Sequence, residues 1–234
     1  MHTTSELYKS IFSDSRHLTE IKLNIAGTEY GQDAIISCST HGALFESPST
    51  SIGNCIAREI DFEIYPSAAP PRQAQIKLYA RVTLGSQVSE WIPKGVFFFS
   101  QRLTDKQTGV LSVTGYDAML KAETVWLNSD YDTENWPMSA VDAVDDIAYR
   151  MGVELDARTD LTGAADVDYP VDENGDMTMR QVLAGIAVSC AGNWMITDEG
   201  KLLLWRYGDV PTETNYLADE DGFWITFGGD RILV

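Results

Sequence analysis

The sequence predicts an α+β protein that is mainly β. A small antiparallel β-barrel domain fills residues 1–121. An acidic α+β domain of helices plus a β-hairpin fills residues 122–234. Three observations carry this. Apolar residues alternate with polar ones through the first half, the pattern of half-buried antiparallel strands. Two stretches of the second half switch to helical spacing and bear capping residues. The charge is split: residues 1–121 hold 11 Lys+Arg and 12 Asp+Glu, whereas residues 122–234 hold 6 and 23. An imbalance of this size points to two units with different surroundings.

The strands are read in order. Ile21, Leu23 and Ile25 alternate with Lys22 and Asn24; Ile60, Phe62 and Ile64 alternate with Glu59, Asp61 and Glu63. Ile76, Leu78, Ala80, Val82 and Leu84 alternate with Lys77, Tyr79, Arg81 and Thr83. "SPSTSIGN" (Ser47–Asn54) and "PSAAPPR" (Pro66–Arg72) are loops by their Ser, Pro and Gly content. "IPKG" (Ile92–Gly95) reads as a turn, with Pro leading and Gly closing it. Val96–Leu103 and Val110–Thr114 read as strands joined by the polar turn "TDKQTG". Five or more short strands predict a small barrel or sandwich.

After Gly115 the texture changes. "YDAMLKAETVWL" reads as a short helix or the lead-out of the barrel. Around "SAVDAVDDIAYRMG", Val141, Val144, Ile147, Ala148 and Met151 share a helical face, Ser139 and Asp142 resemble a capping box, and Gly152 suits the end. An acidic loop follows, with a short strand near Val167. Thr178 and Gln181 then predict a capping box for a second helix whose buried stripe is Val182, Leu183, Ile186, Ala187 and Cys190, stopped by Gly192. Trp194–Ile196 and Lys201–Tyr207 form a hairpin about Asp198–Gly200. The stretch "GFWITFGGDRILV" supplies one further strand, and its apolar ending points to packing on a partner or to further chain.

Composition excludes several classes. Hydrophobic content of 44% supports a packed core. No apolar run is long enough to span a bilayer, and the first residues lack a signal-peptide core. Three cysteines, without a CxxC, argue against a disulfide framework or zinc site and fit synthesis in a reducing compartment. A net charge of −18 argues against gripping DNA or anionic lipid, because phosphate binding needs clustered Lys and Arg.

Candidate chemistry is thin. Asp172, Asn174, Gly175 and Asp176 crowd like a calcium loop, but with Gly175 at the sixth position the first is Pro170 and the twelfth Gln181, so both ends of an EF-hand cage fail. Asp and Asn there favour a turn, and Asp176 adds negative charge near a helix N-terminus. Paired acids such as Asp145–Asp146 lie off their helix's apolar stripe, on a solvated face. His2, His17 and His41 form no metal or nucleophile motif, and no Walker loop, GxSxG or GxGxxG occurs. Cys190 ends an apolar helical face and reads as core. Trp194 and Trp205 are expected to pack against the helix. No catalytic, cofactor-binding or metal residue is assigned.

The order of elements resembles the N-terminal part of phage tail hub proteins, also called tail-tip, tail-associated or baseplate hub proteins. Three stretches carry the resemblance. "SPSTSIGNCIAREIDFEIYP" resembles the family's Ser/Gly-rich loop entering a strand. "WIPKGVFFFSQRLTDKQTGVLSVTGYDAML" resembles its strand, hairpin and Tyr-Asp exit, with Gly95, Phe97, Tyr116, Asp117 and Leu120 matching. "MTMRQVLAGIAVSCAGNWMITDEGKLLLWRY" resembles its helix and hairpin, with Gly192, Trp194, Asp198, Gly200 and Leu202 matching. Together they cover most of residues 18–207. Family hubs are usually longer, and some carry a hydrolase or fibre-binding region downstream; the resemblance implies that the family's second barrel is only partly present, within residues 122–234.

The resemblance implies a structural role without a cofactor: a homotrimeric ring closing the distal end of the tail tube. Its implied partners are itself, distal tail or tail tube protein, tape measure protein, and spike, fibre or other baseplate proteins, with DNA only in transit and no membrane. Its implied place is the virion tail, made in the bacterial cytoplasm. An acidic lumen would let DNA pass without sticking. Two rival readings are a carbohydrate- or receptor-binding tail module using some of the six tryptophans, and a cell-wall hydrolase using paired acids.

Overall fold

The computed structural model describes residues 4–42, 51–72, 74–126, 138–165, 168–169, 177–207, 226–227 and 230–231. A short helix, α1 (Glu6–Phe12), comes first. The strands β1 (Leu18–Ile25), β2 (Thr28–Tyr30), β3 (Ile35–His41), β4 (Glu59–Ile64), β5 (Gln75–Leu84), β6 (Gln87–Val88), β7 (Ile92–Thr104) and β8 (Leu111–Asp117) follow. They form one antiparallel sheet in the order β2-β1-β5-β7-β8-β4-β3, with β6 added to β5. Leu23 and Ile25 of β1 share a single buried cluster with Ile60, Phe62 and Ile64 of β4, near the other end of the sheet. Only a curled sheet brings them together, and the result is a half-barrel. Among the described residues no ladder joins β2 to β3 to close it.

The alternation of the sequence sets these faces. In β4 every second residue is buried, and in β8 Leu111, Val113 and Gly115 point inward while Ser112, Thr114 and Tyr116 point out. Full burial of a side chain such as Phe62 or Ile60 stabilises by about 1.5–3 kcal/mol. The "IPKG" turn is corrected: Ile92–Gly95 belongs to β7, where Leu78 pairs with Gly95 and Tyr79 with Pro93, so Lys94 is bulged out. A bulge absorbs the extra residue without ending the strand.

A 3-10 helix (Ala118–Glu123) leaves β8, and β9 (Met138–Ser139) precedes α2 (Ala140–Met151). Ser139 accepts a hydrogen bond from the Asp142 backbone, and Gly152 ends α2 in the left-handed conformation. The buried stripe is Ala140, Ala143, Val144, Ile147, Ala148 and Met151. Val141 lies outside it, 43% exposed, because the alanines hold the close-packed side. β10 (Asp168–Tyr169) pairs with β9; Val167 lies outside the described residues. α3 (Met179–Ser189) has the full Thr178–Gln181 capping box and buries Val182, Leu183, Ile186 and Ala187, with Cys190 at its end. The helix stops one residue before the expected position: Ala191 takes the positive φ, and Gly192 starts a strand. β11 (Gly192–Ile196) and β12 (Leu202–Arg206) form the expected hairpin. Trp194 is buried as expected, while Trp205 points outward and is 38% exposed, since alternation puts Leu202 and Leu204 inside. β13 (Thr226–Phe227) pairs with β14 (Asp230–Arg231).

A second buried cluster lies here, drawing on the 3-10 helix, α2, α3 and the hairpin. Cys55 belongs to it and Ala57 packs against it, so this core recruits residues that precede β4 in the chain.

Candidate functional site

The two cores meet where the chain crosses between them. Residues 51–57 run alongside β11. Trp194 N donates to Asn54 O at 2.8 Å, and Gly53 N donates to Gly192 O at 2.9 Å. Asn54 N donates to Asn193 Oδ1 at 2.9 Å, and Asn193 Nδ2 donates to Ser51 O at 3.0 Å. The chain then enters the sheet at Glu59 and leaves it after Asp117. These crossings are neighbours because Glu59 pairs with Tyr116.

Arg58 stands at that point. Its backbone N donates to Asp117 Oδ2 at 3.1 Å, and its own carbonyl accepts from Asp117 N at 2.9 Å. Its guanidinium reaches Asp117 Oδ2 at 3.4 Å, Asp198 Oδ1 at 2.7 Å and the Thr197 carbonyl at 3.2 Å. Its Cζ lies 5.7 Å from the centre of the Phe97 ring, within cation–π range. One side chain thus ties the end of β8 to the turn of the β11–β12 hairpin. Asp117 Oδ1 accepts from Met119 N at 3.0 Å, capping the 3-10 helix. The Asp117 side chain is wholly buried, and burial raises its pKa above the ordinary 3.8 despite the hydrogen bonds from Arg58 and Met119. Four of the five buried polar side chains among the described residues, Asn54, Asp117, Asn193 and Thr197, belong to this junction. Buried polar groups persist when paired, and they fix one relative placement of the elements they join.

Of the residues matched to the family motif, Gly95, Phe97, Asp117, Asp198 and Gly200 converge here. Gly95 has φ +150, and a Cβ on it would sit 2.4 Å from the Phe97 ring. Gly200 has φ +84, and its Cβ would sit 3.2 Å from Val96 Cβ, so the hairpin turn lies directly on β7. Gly192 and Trp194 stand beside residues 53–55, with Trp194 Nε1 donating to Leu183 O at 2.8 Å. Tyr116 and Leu120 stay outside: Tyr116 lies on the outer sheet face bonded to Glu59, and Leu120 is 41% exposed. Leu202 is buried in the second core. Sequence reasoning missed Arg58. Its only signal is a lone cation directly before an alternating strand, which any surface residue shares.

The junction is a fastener. Both Asp117 oxygens are occupied and none of its side chain reaches solvent, so it cannot meet a substrate as acid or base. A cleft of about 480 Å³ opens beside it, between β5, β7 and the hairpin turn. Lys201 and Glu154 pair at 2.9 Å at its side. Among the described residues no three His, Cys, Asp or Glu side chains form a metal-binding group. The acidic loop of Asp172, Asn174, Gly175 and Asp176 lies outside the described residues. The described cysteines form no disulfide. No described helix is long and apolar enough to cross a membrane.

No family model matches the sequence, and no curated protein matches it either. The fold does match solved structures. The 43 kDa tail protein of prophage MuSo2 from Shewanella oneidensis is 17% identical, with a TM-score of 0.51 over 85% of this chain and 59% of that one. A tail protein from Neisseria meningitidis MC58 is 15% identical, with a TM-score of 0.47 over 86% of this chain and 54% of that one. Prophage tail protein gp18 from Listeria monocytogenes EGD-e is 9% identical, with a TM-score of 0.43 over 87% and 64%. At 17% identity the MuSo2 protein shares the fold. This chain spans less than two thirds of the length of each of these proteins.

Proposed function

We propose that this chain is a structural component of a phage or phage-like tail, placed at the hub of the baseplate or tail tip. The observation that carries the reading is the shared fold with the MuSo2 tail protein over 85% of this chain. The residues that resemble tail hubs in sequence support it, since five of them meet at the fastener between the two cores. In this role the half-barrel acts as a tube-like domain and the acidic α+β part as a second domain. Three copies form a ring that closes or extends the tail tube and lets DNA pass. Neighbours in the tail are distal tail or tail tube protein, tape measure protein, and spike or fibre proteins. The net negative charge of residues 122–234 keeps DNA in transit from binding.

The rival tail functions find less support. A sugar platform needs exposed aromatic rings. Of the four described tryptophans, Trp126 and Trp194 are buried, Trp91 lies under Lys22 and Arg81, at 4.9 and 4.4 Å, and Trp205 is a single exposed ring. A paired-acid hydrolase needs two carboxylates open to a cleft. Asp117, whose pKa is raised, is sealed in the junction.

The mass and shape of the purified protein test the hub reading. A trimer with an axial hole in negative-stain images is the expected result. A monomer that stays monomeric when mixed with its tail tube protein overturns it.

A further inference from the structure

We propose that the outer edge of β3 docks an extended segment of a partner protein, one in which apolar residues alternate with lysine or arginine. β3 ends the sheet, and among the described residues β4 is its sole ladder partner. Among the described residues no ladder covers its other side, and a strand edge without a ladder is a template for one more strand. Natural edges are usually blunted by shortness, charge or proline. β3 has seven residues, and none of Ile35–His41 is Lys, Arg, Asp, Glu or Pro, in a chain that is 22% charged. Ile36, Ser37, Ser39, Thr40 and His41 are exposed.

The neighbouring side chains say what the added strand carries. On the outer face, Ser37, Ser39 and His41 pair in register with Glu63, Asp61 and Glu59 of β4. Ser112 of β8 donates to Glu63 at 3.0 Å, and Thr114 donates to Asp61 at 2.6 Å. No Lys or Arg among the described residues forms an ion pair with these three carboxylates. The Tyr116 phenol beside them is pushed up by its hydrogen bond to Glu59, by burial, and by the charges of Glu59 and Asp61. A trough of about 580 Å³ crosses this face, with Ser37, Ser39, Asp61, Glu63 and Arg102 in its wall; the Arg102 guanidinium turns to the Pro70 carbonyl, to which it donates at 2.7 Å. A strand beside β3 lies about 10 Å from β4, two strand spacings away. Long cationic side chains on it pass over the short Ser37 and Ser39 toward the carboxylates. Its alternate residues face the core side, where Ile35 and Cys38 already pack, and apolar side chains belong there.

The test uses the full chain and a fluorescent peptide of alternating lysine and valine, followed by anisotropy at low and high salt. A twin peptide methylated on alternate backbone amides cannot complete a ladder. We expect saturable binding of the parent peptide, binding of the twin weaker by about tenfold, the loss of roughly one or two net hydrogen bonds. In the triple variant Glu59→Gln, Asp61→Asn, Glu63→Gln, binding weakens and loses most of its salt dependence. Absence of saturable binding overturns the proposal. So does equal binding of both peptides, which marks nonspecific attraction to an anionic chain. The twin-peptide comparison needs no mutation, so it decides even if the triple variant does not fold.

Discussion

At the scale of residues, Arg58 and Asp117 carry the most consequence for the fold. Replacing Arg58 by Met leaves Asp117 buried without its cation and removes the tie from β8 to Asp198. Breaking a buried pair in this way costs about 3 kcal/mol or more, measured as a loss in denaturant unfolding free energy. The cost depends on pH in a fixed direction. Asp117 has its pKa raised above 3.8 chiefly by burial, so it takes up a proton more readily folded than unfolded. Its contribution is full in acid, below 3.8, and is lost as pH rises through the raised value. Removing Arg58 raises that value further, so the variant's deficit is larger near neutral pH than in acid. Equal deficits at both would show that Asp117 does not feel Arg58. Cys38 offers a second probe. Burial pushes its thiol up to about 11, so alkylation should be slow near neutral pH and half-maximal near that value. A half-point near the ordinary 9.0 would mean that β3 is not packed as described. The acid that caps the 3-10 helix was legible as part of a "Tyr-Asp" exit, but its cation was not. Nothing local distinguishes Arg58 from a solvated arginine, because its partner Asp198 is 140 positions away.

Among the elements, legibility followed burial. β1, β4 and β5 alternate because one face packs on the core, and α2 and α3 carry caps and stripes for the same reason. α1 buries only Ile11, with Leu7 and Phe12 exposed, so no apolar stripe announces it. β3 is an edge of Ser, Thr and Cys whose pairing comes from β4 and not from its own pattern. The "IPKG" stretch misled for a specific reason: Pro and Gly mark turns, but a bulge needs similar residues. Gly95 tests that account. Alanine there meets both the strained φ and the Phe97 ring, and should destabilise by about 1–3 kcal/mol. A neutral Gly95→Ala in thermal and denaturant unfolding would contradict the bulge.

At the scale of the whole molecule, two cores are joined by adjacent crossings and one polar fastener. That construction sets the relative placement of the half-barrel core and the core of helices and hairpin. If the proposed ring forms, most of its negative charge comes from residues 122–234, so repulsion of DNA would belong to the assembly and not to any single acid. The order of strands, hairpin, helix and hairpin was legible in the sequence. The curl of the sheet and the threading of residues 51–57 along β11 were not, since both arise from long-range pairing. Locating the chain in intact tail particles by immunogold electron microscopy tests the central claim most directly. Gold at the distal tip of the tail is the predicted result. Gold elsewhere on the particle, or particles left unlabelled by an antibody that binds the purified chain, would contradict it.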